Sequence, residues 1–150
     1  MQVDSVRLSF RLATTIAFMV AIAVLSLVPG HPQPGDSAFL WAVAKTPPIV
    51  QNIIHVVLYG LLSVLWVWTL AVDQLNRTRP WASAVIIVIA FGAGLEVCQL
   101  FVPGRFASIL DVLLNSIGAL VGVFVAGRLI QAAPFPTEPS NGVAREQKET

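Results

Sequence analysis

Four apolar stretches, at about residues 12–28, 49–72, 82–102 and 109–130, make up most of this chain. Each is long enough to cross a hydrocarbon core, which takes about 20 helical residues. Lipid offers no hydrogen bonds to a backbone, so a run of this length has to be helical, with every N–H and C=O paired inside it. The connections are short. The expected fold is therefore all-α, an integral membrane four-helix bundle over residues 1–131, with no room for a second folded domain. Only 11% of the residues are charged, against roughly 25% in soluble domains. No basic stripe with interleaved aromatics occurs, which argues against a nucleic-acid partner.

Lys and Arg are retained on the cytoplasmic side of short connections. With four spans, the N-tail, the second connection and the C-tail share one side and hold Arg7, Arg11, Arg77, Arg79, Arg128, Arg145 and Lys148, while the other side holds Lys45 and Arg105. Both termini are expected in the cytoplasm. Arg7 and Arg11 ahead of an apolar run also fit a secretory signal cut near Pro29-Gly30. The long run, the lack of a small-x-small triplet and Pro29 itself favour an uncleaved span. In the first outer connection, Asp36-Ser37 followed by an apolar segment and Lys45 predicts a short capped helix lying in the interface. Residues 132–150, rich in proline and ending in charges, are expected to form a disordered cytoplasmic tail.

Against this background the polar residues inside the spans stand out. A charged side chain at the centre of a membrane helix costs about 2.5–3.5 kcal/mol on insertion scales, so such residues usually face other helices or water. By span direction, Asn52, His55 and Tyr59 fall in the outer third of the second span. Glu96 and Gln99 fall in the last two turns of the third, Arg105 in the outer turn, and Asp111 and Asn115 in the first two turns of the fourth. All converge at one depth. Helical spacing puts Gly92, Glu96 and Gln99 on one stripe and Asp111, Asn115, Gly118 and Gly122 on another, and both stripes should face the bundle interior. Ser108 or Asp111 can cap the fourth helix, and Arg105 can serve as an interfacial anchor. Glu96 is either protonated, because leaving water disfavours its charge, or ionised against Arg105 or His55. Glu96, Arg105 and Asp111 are expected to form one coupled cluster.

The ordered motifs resemble those of VanZ-like membrane proteins, a family named for a teicoplanin-resistance protein. They are Ser26-x-x-Pro29, His55-x-x-x-Tyr59-x-x-Leu62, Glu96-x-x-Gln99, Pro103-Gly104-Arg105, Asp111-x-x-x-Asn115 and Gly118-x-x-x-Gly122. One departure is Gln51-Asn52, where family members often carry an Asp-Lys pair. The resemblance implies a multi-pass protein of the bacterial inner membrane that works at the outer leaflet, near lipid-linked envelope precursors. Family membership connects it to glycopeptide susceptibility without implying resistance in this chain.

The leading expectation is an outer polar pocket that binds an anionic or peptidic headgroup through Arg105, with Gln99, Asn115, Asn52 and Tyr59 as further ligand-binding residues and Glu96 and Asp111 holding the arginine. A membrane-embedded hydrolase or transferase would use Glu96 or His55 as acid–base, with Asp111 a third candidate. No Ser or Cys nucleophile with a spaced base accompanies them, so a non-enzymatic role is favoured. A proton or solute pathway would need polar residues through the whole depth, whereas the inner halves of the spans read as apolar. A plain scaffold, its polar set locking the helices together, is the remaining alternative. With no paired Cys/His motif and no Gly-rich phosphate loop, neither a metal nor a cofactor is expected. Cys98 reads as a packing residue. Membrane lipids are the expected partners, and a homo-oligomer or another membrane protein is compatible with the sequence.

Overall fold

A computed structural model of the chain describes residues 2–31, 33–71 and 79–132. These form five helices, α1 (Gln2–Ser26), α2 (Ala38–Ala44), α3 (Pro48–Leu70), α4 (Arg79–Gln99) and α5 (Ile109–Ala132), and no strand occurs among the described residues. The expected tail from 133 onward, and most of the connection between α3 and α4, lie outside the described residues.

Four helices are long and apolar enough to cross a membrane, over Ser5–Ser26, Pro48–Leu70, Trp81–Gln99 and Ile109–Ile130. At 1.5 Å per residue the 23 residues of α3 reach about 34 Å, slightly more than a bilayer's hydrocarbon thickness. Large apolar side chains cover the outside of the bundle, among them Ile86, Leu120 and Phe124, each more than half exposed. On a water-soluble protein such a surface would be a liability, but here it faces acyl chains. The chain is a multi-pass membrane protein.

α1 begins well before residue 12, because Arg7 and Arg11 lower the local hydropathy without breaking the helix. Charges near the end of a span can reach the interface along their own stems. α4 stops at Gln99 instead of 102, and the amides of Leu100, Phe101 and Val102 each bond three residues back in a tightened finish. The short helix of the first connection is present as expected. The Ser37 hydroxyl accepts from the Leu40 amide at 3.4 Å, and Lys45 closes the other end.

α3 and α5 form the spine. A Cβ added at Gly118 would lie 2.5 Å from the Val56 carbonyl oxygen, and one at Gly122 would run into the Gly60 carbonyl. The two backbones therefore touch directly, as small-residue stripes permit in membranes. Around this spine, one core cluster holds Ile22, Tyr59, Leu62, Val88, Leu95 and Ala119, and a second holds Val67, Ala84 and Ala126. α4 packs on both spine helices. α1 leans on α3, touches α4 slightly and makes no packing contact with α5. Only 11% of its apolar window is buried, against 28% for each of the other three, so α1 is the outrigger of the bundle.

Candidate functional site

Helix ends leave backbone groups without intrahelical partners, and a membrane interior supplies no water to satisfy them. At one end of the bundle three such ends meet. The end of α1 and the residues just after it offer free carbonyls to the last residue of α4 and to the α4–α5 connection: Gln99 Nε2 donates to Ser26 O at 3.0 Å and Arg105 Nε donates to Val28 O at 2.9 Å. The Gly30 amide adds a bond to Pro103 O at 3.2 Å. Gly104 makes the reversal possible, with a φ of 73° that side chains disfavour.

The start of α5 is secured in a similar way. The Ser108 hydroxyl accepts from the Asp111 amide at 3.3 Å, so Ser108, not Asp111, is the cap. The amide of Ser108 in turn donates to Glu96 Oε2 at 2.7 Å. Glu96 is thus a carboxylate on α4 that receives the backbone entering α5. It is only 4% exposed, and its Oε1 accepts no hydrogen bond among the described residues.

Beside this knot of helix ends lies a cleft of about 150 Å³ between α1, α3, the segment after α2, and the α4–α5 turn. Its polar lining comes from Ser26, Thr46, Gln51, His55, Tyr59, Gln99 and Arg105, set among Ile22, Leu25 and Leu58. The volume is below the roughly 300–1,000 Å³ of a drug-sized pocket and suits a compact group. His55 Nδ1 lies 3.0 Å from Asn115 Oδ1, and its ring stacks on Tyr59 with centroids 6.2 Å apart. Since an amide oxygen only accepts, that contact puts the proton on Nδ1 and leaves Nε2 for another partner. Arg105 spends Nε on Val28 O. Its Nη groups, which carry four N–H donors, have no partner among the described residues, and its side chain lines the cleft.

His55, Tyr59, Gln99 and Arg105 of the expected residues come together around the cleft. Asn115, 2% exposed, supports it from behind through His55. Glu96 and Asp111 lie outside the lining, though Glu96 is within electrostatic range of Asp111, His55 and Arg105. Neither carboxylate makes an ion pair with Arg105 among the described residues, so the expected clamp is replaced by a backbone carbonyl. Asn52 is half-buried, lines no part of the cleft and makes no hydrogen bond among the described residues. Gln51 and Thr46 were not among the expected residues. Gln51 precedes His55 by one helical turn, and its Nε2 donates to Thr46 O at 2.8 Å, tying α3 to the end of the first connection.

The opposite end is less apolar than its sequence reads. Thr15 and Thr69 share a buried hydrogen bond of 2.8 Å, and Arg11 Nη1 donates to Trp68 O at 2.8 Å with its guanidinium over the Trp68 ring. Between the two polar ends, Ser63 Oγ and Trp66 Nε1 are buried without a hydrogen-bond partner among the described residues.

Comparison with known proteins gives a family. The sequence model of the VanZ/LLP1 family matches residues 5–130, which takes in every span. Neither the curated proteins nor the solved structures offer a match.

Proposed function

This chain belongs to the VanZ/LLP1 family, and we propose that it acts at the extracytoplasmic face of the bacterial inner membrane, where its cleft binds the anionic headgroup of a lipid-linked envelope precursor. Arg105 is the binding residue. Its Nη donors form the planar fork that suits phosphate or carboxylate. Gln51, Gln99 and Tyr59 orient the group, and His55 Nε2 offers one further contact. The observation that carries this reading is the division of labour within one guanidinium: Nε is committed to Val28 O while the Nη groups have no partner among the described residues and the side chain lines a cleft. The outward placement rests on the seven-to-two division of positive residues and predicts that a cysteine at position 37, in a Cys98-free background, reacts with an impermeant thiol reagent in intact cells while one at position 140 does not. A connection to teicoplanin susceptibility rests on the family name alone.

The scaffold reading has specific support as well, since Gln99, Arg105 and Glu96 each satisfy a backbone group at a helix end. One experiment separates the two. The full-length protein and its Arg105→Gln variant are purified in mild detergent, and co-purifying lipids are identified by mass spectrometry alongside the melting temperature. Binding predicts a phosphate-bearing envelope lipid on the wild type that falls at least about tenfold in the variant, the usual scale for losing a charge-assisted contact. Equal recovery from both proteins, or a loss that only tracks unfolding, leaves the scaffold.

A further inference from the structure

At the end of the bundle remote from the cleft, α1 and α5 stand apart over a floor formed by α3. The resulting groove has a volume of about 740 Å³. One wall carries Arg7, Arg11 and Thr14, and the other carries Ala126, Leu129 and Ile130. Among the described residues no carboxylate lines it. Arg11 is held by its bond to Trp68 O and its position over the indole ring. Arg7, one turn nearer the helix end, is exposed and has no partner among the described residues.

We propose that this groove is a binding site for one anionic glycerophospholipid, its phosphate held between Arg7 and Arg11 and an acyl chain laid along α3 between α1 and α5. The depth profile matches such a molecule. Both cations lie at the end of the groove where a headgroup sits, and Val64, Leu65, Val67 and Ala126 line it towards mid-span. An apolar furrow open to the bilayer fills with a hydrocarbon chain at no cost in exposed polar groups. A basic mouth then selects among lipids by charge, as basic pockets between membrane helices do elsewhere. Because α1 makes no packing contact with α5, a lipid in this position is the only bridge between them among the described residues. The site is separate from the cleft and does not depend on the function proposed for it.

Native mass spectrometry of the full chain, titrated with phosphatidylglycerol and in parallel with phosphatidylethanolamine, tests the assignment. The expected result is a single saturating adduct with phosphatidylglycerol and weaker binding of phosphatidylethanolamine. Arg7→Gln should weaken the phosphatidylglycerol adduct about fivefold, the usual effect of one basic residue near an anionic lipid. Arg11→Gln also disturbs the packing on Trp68, so Leu129→Trp supplies an independent arm. It fills the groove from an exposed wall position, keeps both charges, and should abolish the adduct at an unchanged melting temperature. Equal binding of the two lipids overturns the site. So does weakening by Arg7→Gln with none by Leu129→Trp, which would mean that the arginines only gather anionic lipids around the protein. A lipid-free dimer dissociated by Leu129→Trp overturns it too, since a second copy would then occupy the groove.

Discussion

The two ends of the bundle use polar side chains in different ways. At the cleft end, Gln99, Arg105 and Glu96 each bond to a backbone group, and the helices that stop there depend on those side chains to finish their ends. At the other end Arg11 also reaches a backbone carbonyl, that of Trp68, but the buried Thr15–Thr69 bond joins two side chains within helices that are still continuous. The difference matters for how replaceable the contacts are. A side-chain pair can be removed as a pair, but a backbone carbonyl or amide cannot be mutated away, so whatever satisfies it must stay.

The largest effect should come from breaking the spine to which both ends are attached. Gly122→Val drives a side chain into the Gly60 backbone, and since overpacking alone costs about 1–3 kcal/mol with backbone collision adding to it, little folded protein should survive extraction and gel filtration. Next is Glu96→Ala, which leaves the half-buried Ser108 amide without its acceptor. A stability loss of about 1–3 kcal/mol is expected in detergent unfolding, whereas Glu96→Gln keeps an acceptor oxygen and should recover most of it. Recovery no better than with alanine would mean that the charge, not the acceptor, matters at this end.

At the opposite end, Thr15→Val alone should cost about 0.6–1.7 kcal/mol, and adding Thr69→Val should cost less than Thr69→Val does by itself, because the Thr69 hydroxyl has already lost its closer partner and keeps only a 3.4 Å contact to Arg11 O. Additive losses in that cycle would erase the contrast between the ends. The smallest effect is expected for the coupling between Glu96→Gln and Arg105→Gln. The two side chains are in electrostatic range but form no ion pair among the described residues, so the interaction energy should fall well below the roughly 3–5 kcal/mol lost when a buried pair is broken.

The spans were legible because an apolar run of bilayer length permits only one backbone solution. The boundaries were less so, since Arg7 and Arg11 depress hydropathy while the helix continues through them. Within the site, spacing alone put His55 with Tyr59 and Glu96 with Gln99 on common faces. The partners of Arg105 and Gln99 were hidden for a physical reason: Val28 O and Ser26 O are backbone atoms, present at every position, and nothing in the side-chain pattern marks which carbonyl a helix end leaves free. The sequence offered carboxylates as the natural mates for Arg105, and the fold used a carbonyl. Thr15 and Thr69 were hidden differently, because their pairing depends on the register between α1 and α3. Gln51 could have been found, one turn before His55 on the same face.

The bond from Arg105 Nε to Val28 O has a consequence for any anion that enters the cleft. A free arginine gives up about 0.5–1.5 kcal/mol of rotamer entropy when a ligand immobilises it. Here folding has already met that loss, so any such anion would find the fork fixed in orientation. Lysine at 105 would keep the charge but, having a single terminal nitrogen, could anchor to the carbonyl or receive the ligand only by sharing that nitrogen. Its penalty would fall on the tightness and geometry of binding more than on the electrostatic attraction that brings the anion in.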